Sequence, residues 1–152
     1  MATEPTTRTK LAPLARWSLF WMLFNGIGAL AGVAMMWTAP DLFGMTPLLP
    51  LMHDSLPVIG QYFTSFWLPG ICLLVFIGVP HLIGAVMVGR HQALAPAAVI
   101  ACGIILIGWT TLQLLLVFGP NPTSAIWCVF GLAEIVMGAI WAARLRRPVA
   151  TG

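Results

Sequence analysis

Glu134 stands in the middle of the apolar stretch Phe130 to Arg147, FGLAEIVMGAIWAARLRR, which ends in a cluster of Arg. It is the one formally charged side chain that the sequence places deep in a membrane-length helix. A carboxyl in a low-dielectric interior can hold a proton, attract a cation or bond a polar group on a neighbouring helix. Burying it at the midplane costs about 2.5–3.5 kcal/mol on insertion scales, which makes an intramembrane acid a functional-site candidate with a partner to be named. The other apolar segments offer Asn25, His81, Trp109, Thr110 and Gln113. With Glu134 these six form the candidate ligand- or proton-binding set. The alternative for Glu134 is a protonated carboxyl bonded to Asn25 or Gln113 as glue between helices. His81 follows Pro80, so its ring is also a candidate partner for the Phe76 carbonyl that a proline kink would free.

Other chemistries find little support. The chain carries no Gly-rich phosphate loop, no GxSxG, no HExxH and no pair of carboxylates within an apolar segment. No catalytic residue is assigned, and an enzyme is the least favoured class. His53 and Asp54 are adjacent, but adjacency alone does not make a metal site. A haem held by two span histidines is not expected, because only His81 lies inside a span. No metal and no cofactor are expected. The three cysteines, Cys72, Cys102 and Cys128, fall one per apolar segment with no CxxC, which argues against a disulfide framework.

The elements that must position Glu134 follow from composition. The chain has 152 residues, 60% of them hydrophobic and 7% charged, with a net charge of +3. A soluble domain has roughly 25% charged residues, so most of this surface must face lipid or other apolar partners. The basic residues sit at segment ends and not on one patch, which excludes a nucleic-acid partner. Spanning the bilayer takes about 20 apolar residues in helix, and four segments supply them, at about 17–37, 66–89, 94–118 and 125–145. Residues 1–13 read as a flexible tail, 14–147 as a single transmembrane domain and 148–152 as a second tail. The first span is too long for a signal-peptide core. Between the first two spans, Thr38 to Ser65 holds Pro40, Pro47, Pro50 and Pro57 yet is rich in Leu, Met and Phe. Such a segment is expected to lie at the outer interface, over the bundle mouth. Gly119 to Ser124 reads as a tight outer turn.

All seven Lys and Arg lie in the N-terminal tail, the second connection or the C-terminal end. By the positive-inside rule both termini are cytoplasmic. The fold class expected is all-α, an integral-membrane four-helix antiparallel bundle with an interfacial outer loop between helices 1 and 2. Small residues should mark where it packs, because helices in lipid associate by close backbone approach. Gly28-x-x-x-Gly32 with Asn25 marks the first span, and Gly78, His81 and Ala85 the second. Gly103 with Thr110 marks the third, beside Trp109 and Gln113. Gly131, Glu134 and Gly138 mark the fourth. Counted from the outer ends at ~1.5 Å per residue, Gln113 lies about five residues in, Thr110 about eight, Trp109 about nine, Glu134 about ten, Asn25 about thirteen and His81 about fifteen. They form a polar ladder that is blind or narrow at its inner end.

The run MMWTAPDLFGMT…FTSFWLPGICLLVFIGVPHLIGA, followed by GIILIGWTTLQLLL and FGLAEIVMGAIW, resembles bacterial four-helix integral membrane proteins of the DoxX-like kind. The resemblance covers the helical region and implies a four-span fold in the bacterial inner membrane. Small multidrug resistance transporters also have four helices and one membrane acid, but theirs lies in the first helix, where this chain has Asn25. The function expected is binding or transport of a small molecule or ion, with Glu134 as the protonatable group. The alternatives are a structural subunit of a membrane complex, either homo-oligomeric or with a partner membrane protein, or an enzyme acting on a lipid-like molecule.

Overall fold

A computed structural model describes residues 5–42, 44–56, 58–115 and 122–146, with side chains from residue 13 onward in those ranges except 122 and 123. Among the described residues the chain is helical, without strands. Four helices are long and apolar enough to cross a membrane, over Pro13–Thr38, Trp67–Gly89, Ala95–Gln113 and Ser124–Leu145, which marks a multi-pass membrane protein.

Helix α1, Pro5–Thr38, starts earlier than the sequence suggested and takes in most of the expected N-terminal tail. A proline is tolerated at a first helical position, where its missing N–H has no intrahelical partner to lose. The outer segment contains a short helix α2, Leu48–Ser55, and a tight turn at Gly60–Tyr62. A Cβ at Gly60 would collide with the carbonyl of His53, so only glycine lets the turn close on the end of α2. The third span is α5, Ala95–Gln113, and the fourth is α6, Pro122–Leu145. The expected third-span end at 118 and the residues 119–121 of the expected outer turn lie outside the described residues. The rest of that turn, Pro122 to Ser124, is the first turn of α6.

The second span is α3, Trp67–Leu73, then a wide turn at Leu74–Gly78, then α4, Val79–Gly89. Pro80 has no N–H, and in a regular helix its ring would meet the carbonyl four residues back. The chain widens just before it: the Val79 N–H donates to the Leu74 carbonyl, five residues earlier. This π turn takes the place of the expected simple kink at Phe76. The end of α4 shows why His91 has φ 51°. The Gln92 N–H bonds to the Met87 carbonyl and the His91 N–H to the Val88 carbonyl, both at 3.0 Å. That Schellman pair needs a left-handed residue at position 91.

Helix direction can be read from facing pairs. A Cβ at Gly103 would sit 2.5 Å from the Gly131 carbonyl, and one at Gly138 would sit 2.8 Å from the Pro96 carbonyl. Numbers rise along one helix as they fall along the other, so α5 and α6 are antiparallel. They are also the most intimately packed pair. On α1, Gly26 faces Leu82, and Gly32 faces Leu73, which sets it antiparallel to the second span. The α1–α6 seam is aromatic: Trp21 lies 4.7 Å from Phe130, and Phe24 lies 6.4 Å from Trp127, centroid to centroid. Outward, α1 presents Trp17, Phe20, Ile27 and Leu30, and the second span presents Ile71, Val75 and Ile83. Such a surface matches acyl chains and not water.

The small-residue seams divide into two kinds. Gly103, Gly131 and Gly138 admit close backbone approach, as the sequence suggested. Gly28 does not: a Cβ there would meet nothing within 4 Å. The Gly28-x-x-x-Gly32 pair is therefore not a helix-contact motif in this bundle, and Gly26 takes the tight position against Leu82.

Two apolar clusters fill the interior. One joins Met22, Ala85, Val88, Val99, Cys102 and Trp141. The other joins Ala29, Ile77 and Leu106, with Trp109, Trp127 and Phe130 packed on it. On each helix they lie at different heights, and the space between them holds the polar side chains described next.

Candidate functional site

Asn25 on α1, His81 on α4 and Glu134 on α6 project into this gap. Asn25 lies between Met22 and Ala29, His81 between Ile77 and Ala85, and Glu134 between Phe130 and Trp141, each flanking pair drawn from the two clusters. Their relative exposures are 2%, 0% and 0%, so no solvent screens them. The Asn25 Nδ2 donates to Glu134 Oε1 at 2.7 Å. Glu134 Oε2 lies 3.4 Å from His81 Nε2. The other imidazole nitrogen, His81 Nδ1, lies 2.8 Å from the Ile77 carbonyl oxygen. The sequence expectation of a carbonyl partner for His81 is met one residue along, at Ile77 and not at Phe76.

That last bond fixes the tautomer. A carbonyl only accepts, so Nδ1 must carry a hydrogen and donate it. Nε2 faces Oε2, and neither atom has a hydrogen-bond partner within the protein. Oε1 is the acceptor for Asn25. Glu134 and His81 sit on helices that hardly touch through their backbones, so the polar contact ties together opposite corners of the bundle.

The remaining candidates line a cavity. A space of about 240 Å³ is bounded by Asn25, Gly28, Gly32, Trp109, Thr110, Gln113 and Trp127, with Leu73, Ile77 and Leu106. Its floor is the polar layer, because Asn25 belongs to both. Thr110 donates its hydroxyl hydrogen to the Leu106 carbonyl at 2.8 Å. Beside it lies a second space of about 260 Å³, between the outer segment and the second and third spans. Its walls are apolar: Met36, Met52, Leu56, Ile59, Phe63 and Cys72 are among them. The two spaces share Leu73, Trp109 and Gln113. Glu134 and His81 line neither; Asn25 stands between them and the cavity. The six candidates thus separate into a sealed polar group (Asn25, His81, Glu134) and a cavity wall (Asn25, Trp109, Thr110, Gln113).

Sequence reasoning did not find Gly28 as a cavity residue, nor Met52, Leu56, Ile59 and Phe63 as the roof of the outer space. The signal for the roof was present in the apolar content of a proline-broken connection. The end holding Ala15, Val88, Ala95 and Trp141 is packed with apolar side chains. Cys102 is buried there, with its thiol 3.4 Å from the Pro80 carbonyl. Among the described residues no group of three or more His, Cys, Asp and Glu is placed to hold a metal ion. His53 and Asp54 make an exposed contact at 3.2 Å in the outer segment, away from this cavity. Compared with family models, with curated proteins and with solved structures, the chain matches none.

Proposed function

We propose that this protein binds a small molecule in the two adjoining cavities and moves it across the membrane, with the Glu134–His81 pair holding one proton beneath it. The observation that carries this is the double role of Asn25, which lines the inner cavity and donates to Glu134 at 2.7 Å. A ligand that displaces or polarises Asn25 changes how well the carboxyl is satisfied. Loss of the shared proton would leave a charged carboxylate in the water-excluded bundle interior with Asn25 as its donor, which is costly. A ligand bringing a compensating donor or positive charge to Asn25 therefore competes with the proton, and binding is linked to proton release.

In this reading the termini are cytoplasmic, as the placement of Lys and Arg supports, and the cavities open toward the outer segment. Bacterial inner membrane and a DoxX-like relationship belong to the same reading, supported by the four-span layout with its interposed outer loop.

The test is native mass spectrometry of the protein released from membrane extracts. Wild-type protein is expected to carry a bound small molecule, and Gly28→Phe, whose ring would occupy the inner cavity, is expected to emerge without it. A bare wild-type protein, or an adduct retained by Gly28→Phe, overturns the proposal.

A further inference from the structure

The cavity also states what its ligand must offer. Glu134 Oε1 accepts from Asn25 Nδ2, which orients the Asn25 amide with its NH2 toward the carboxyl. The Asn25 Oδ1 is thereby left as an acceptor. It is buried and has no hydrogen-bond partner within the protein. Thr110 points the same way: its hydroxyl hydrogen goes to Leu106, leaving only lone pairs for the cavity. Asn25 and Thr110 both border the inner space, each with an oxygen free to accept, and Gln113 can match either kind of partner. The adjoining outer space has apolar walls.

We propose, resting on the cavity-binding reading above, that the ligand is a small apolar molecule ending in a hydrogen-bond donor, a hydroxyl or an N–H. Its donor end meets Asn25 Oδ1, and its apolar body extends beneath Met52 and Phe63. A molecule of the same shape with an acceptor-only end, such as an ether or ketone, would leave Oδ1 unsatisfied and add a second desolvated acceptor. Buried hydrogen-bonding sites reject analogues that lack the matching group far more strongly than apolar pockets reject a changed methylene.

The experiment uses the full chain in lipid nanodiscs and two probes, a bromoalkanol and the methyl ether of the same bromoalkanol. Bromine quenches tryptophan fluorescence on contact, and Trp109 and Trp127 line the inner cavity. The expected result is saturable quenching by the alcohol, at least tenfold weaker binding of the ether, and loss of the saturable phase for both in Gly28→Phe. Equal binding of alcohol and ether, lost for both in Gly28→Phe, overturns the donor requirement while leaving the cavity-binding reading in place. No saturable binding of either probe, as for a cavity that holds water only, overturns both. So does saturable quenching that persists in Gly28→Phe.

Discussion

Glu134→Leu should unfold the bundle far more readily than Glu134→Gln, although leucine is the better membrane residue. The carboxyl is the acceptor for Asn25 Nδ2 at 2.7 Å and the neighbour of His81 Nε2 at 3.4 Å, both in a site without solvent. Leucine leaves both groups against hydrocarbon. Each orphaned group costs roughly 1–3 kcal/mol in a water-excluded site, and partners found in the unfolded-in-membrane state return part of this, for an expected loss of about 2–4 kcal/mol. An amide is different. With Nδ1 holding its hydrogen for Ile77, Nε2 offers a lone pair, and the introduced NH2 can donate to it while the amide oxygen keeps Asn25. Glu134→Gln is therefore a stand-in for the protonated acid, expected to stay within about 1 kcal/mol of wild type. It cannot release a proton, so it should abolish proton-linked binding or uptake. Denaturation by SDS titration measures the first difference. If the two variants are equally stable, the carboxyl does not hold the three helices together as described. Normal proton-linked uptake by Glu134→Gln would remove the carboxyl from the mechanism.

The second large effect lies at the α5–α6 seam. A Cβ at Gly131 would meet Ile107 Cγ1 at 2.7 Å and the Gly103 carbonyl oxygen at 2.8 Å. One of those atoms is backbone and cannot rotate away, so the helices must separate. Gly131→Val is expected to cost about 1–3 kcal/mol or more, in the range of overpacked interiors. Because Gly131 precedes Glu134 by one turn on α6, the separation also moves the carboxyl, so ligand binding should fall with stability. Gly108→Ala serves as the control, since a Cβ there meets nothing within 4 Å. Thermal melting in detergent is the measurement. Equal melting temperatures for the two variants would mean that close backbone approach does not hold this seam.

The contrast between Gly131 and Gly28 shows how far sequence carries such an argument. Both stand in small-residue patterns at helical spacing, and both were expected to mark contacts. Periodicity states which face a residue occupies, but not how near the neighbouring helix comes. At Gly131 the neighbour is another glycine's carbonyl; at Gly28 the neighbour is the cavity. The four spans were legible because length and apolarity determine what a bilayer accepts. Glu134 stood out because a charge there is rare. Its partner was narrowed only to Asn25 or Gln113, which occupy similar inward faces. The choice depends on side-chain reach across the bundle, and it falls on Asn25, while Gln113 goes to the cavity wall. The contact with His81 was beyond such counting, because the π turn at Leu74–Gly78 rotates everything after it relative to a regular helix. The sequence announces Pro80, but whether the chain kinks or widens depends on what packs around it.

In the proposed mechanism His81 and Glu134 share one proton while Nδ1 is held by Ile77. Nitrogen-15 NMR of histidine-labelled protein in bilayers tests it most directly, with the His81 signals assigned by their loss in a His81 variant. A protonated Nδ1 is expected in wild type and in Glu134→Gln, together with an Nε2 signal that shifts between the two. An unprotonated Nδ1, or an Nε2 signal indifferent to the Glu134→Gln change, would contradict it.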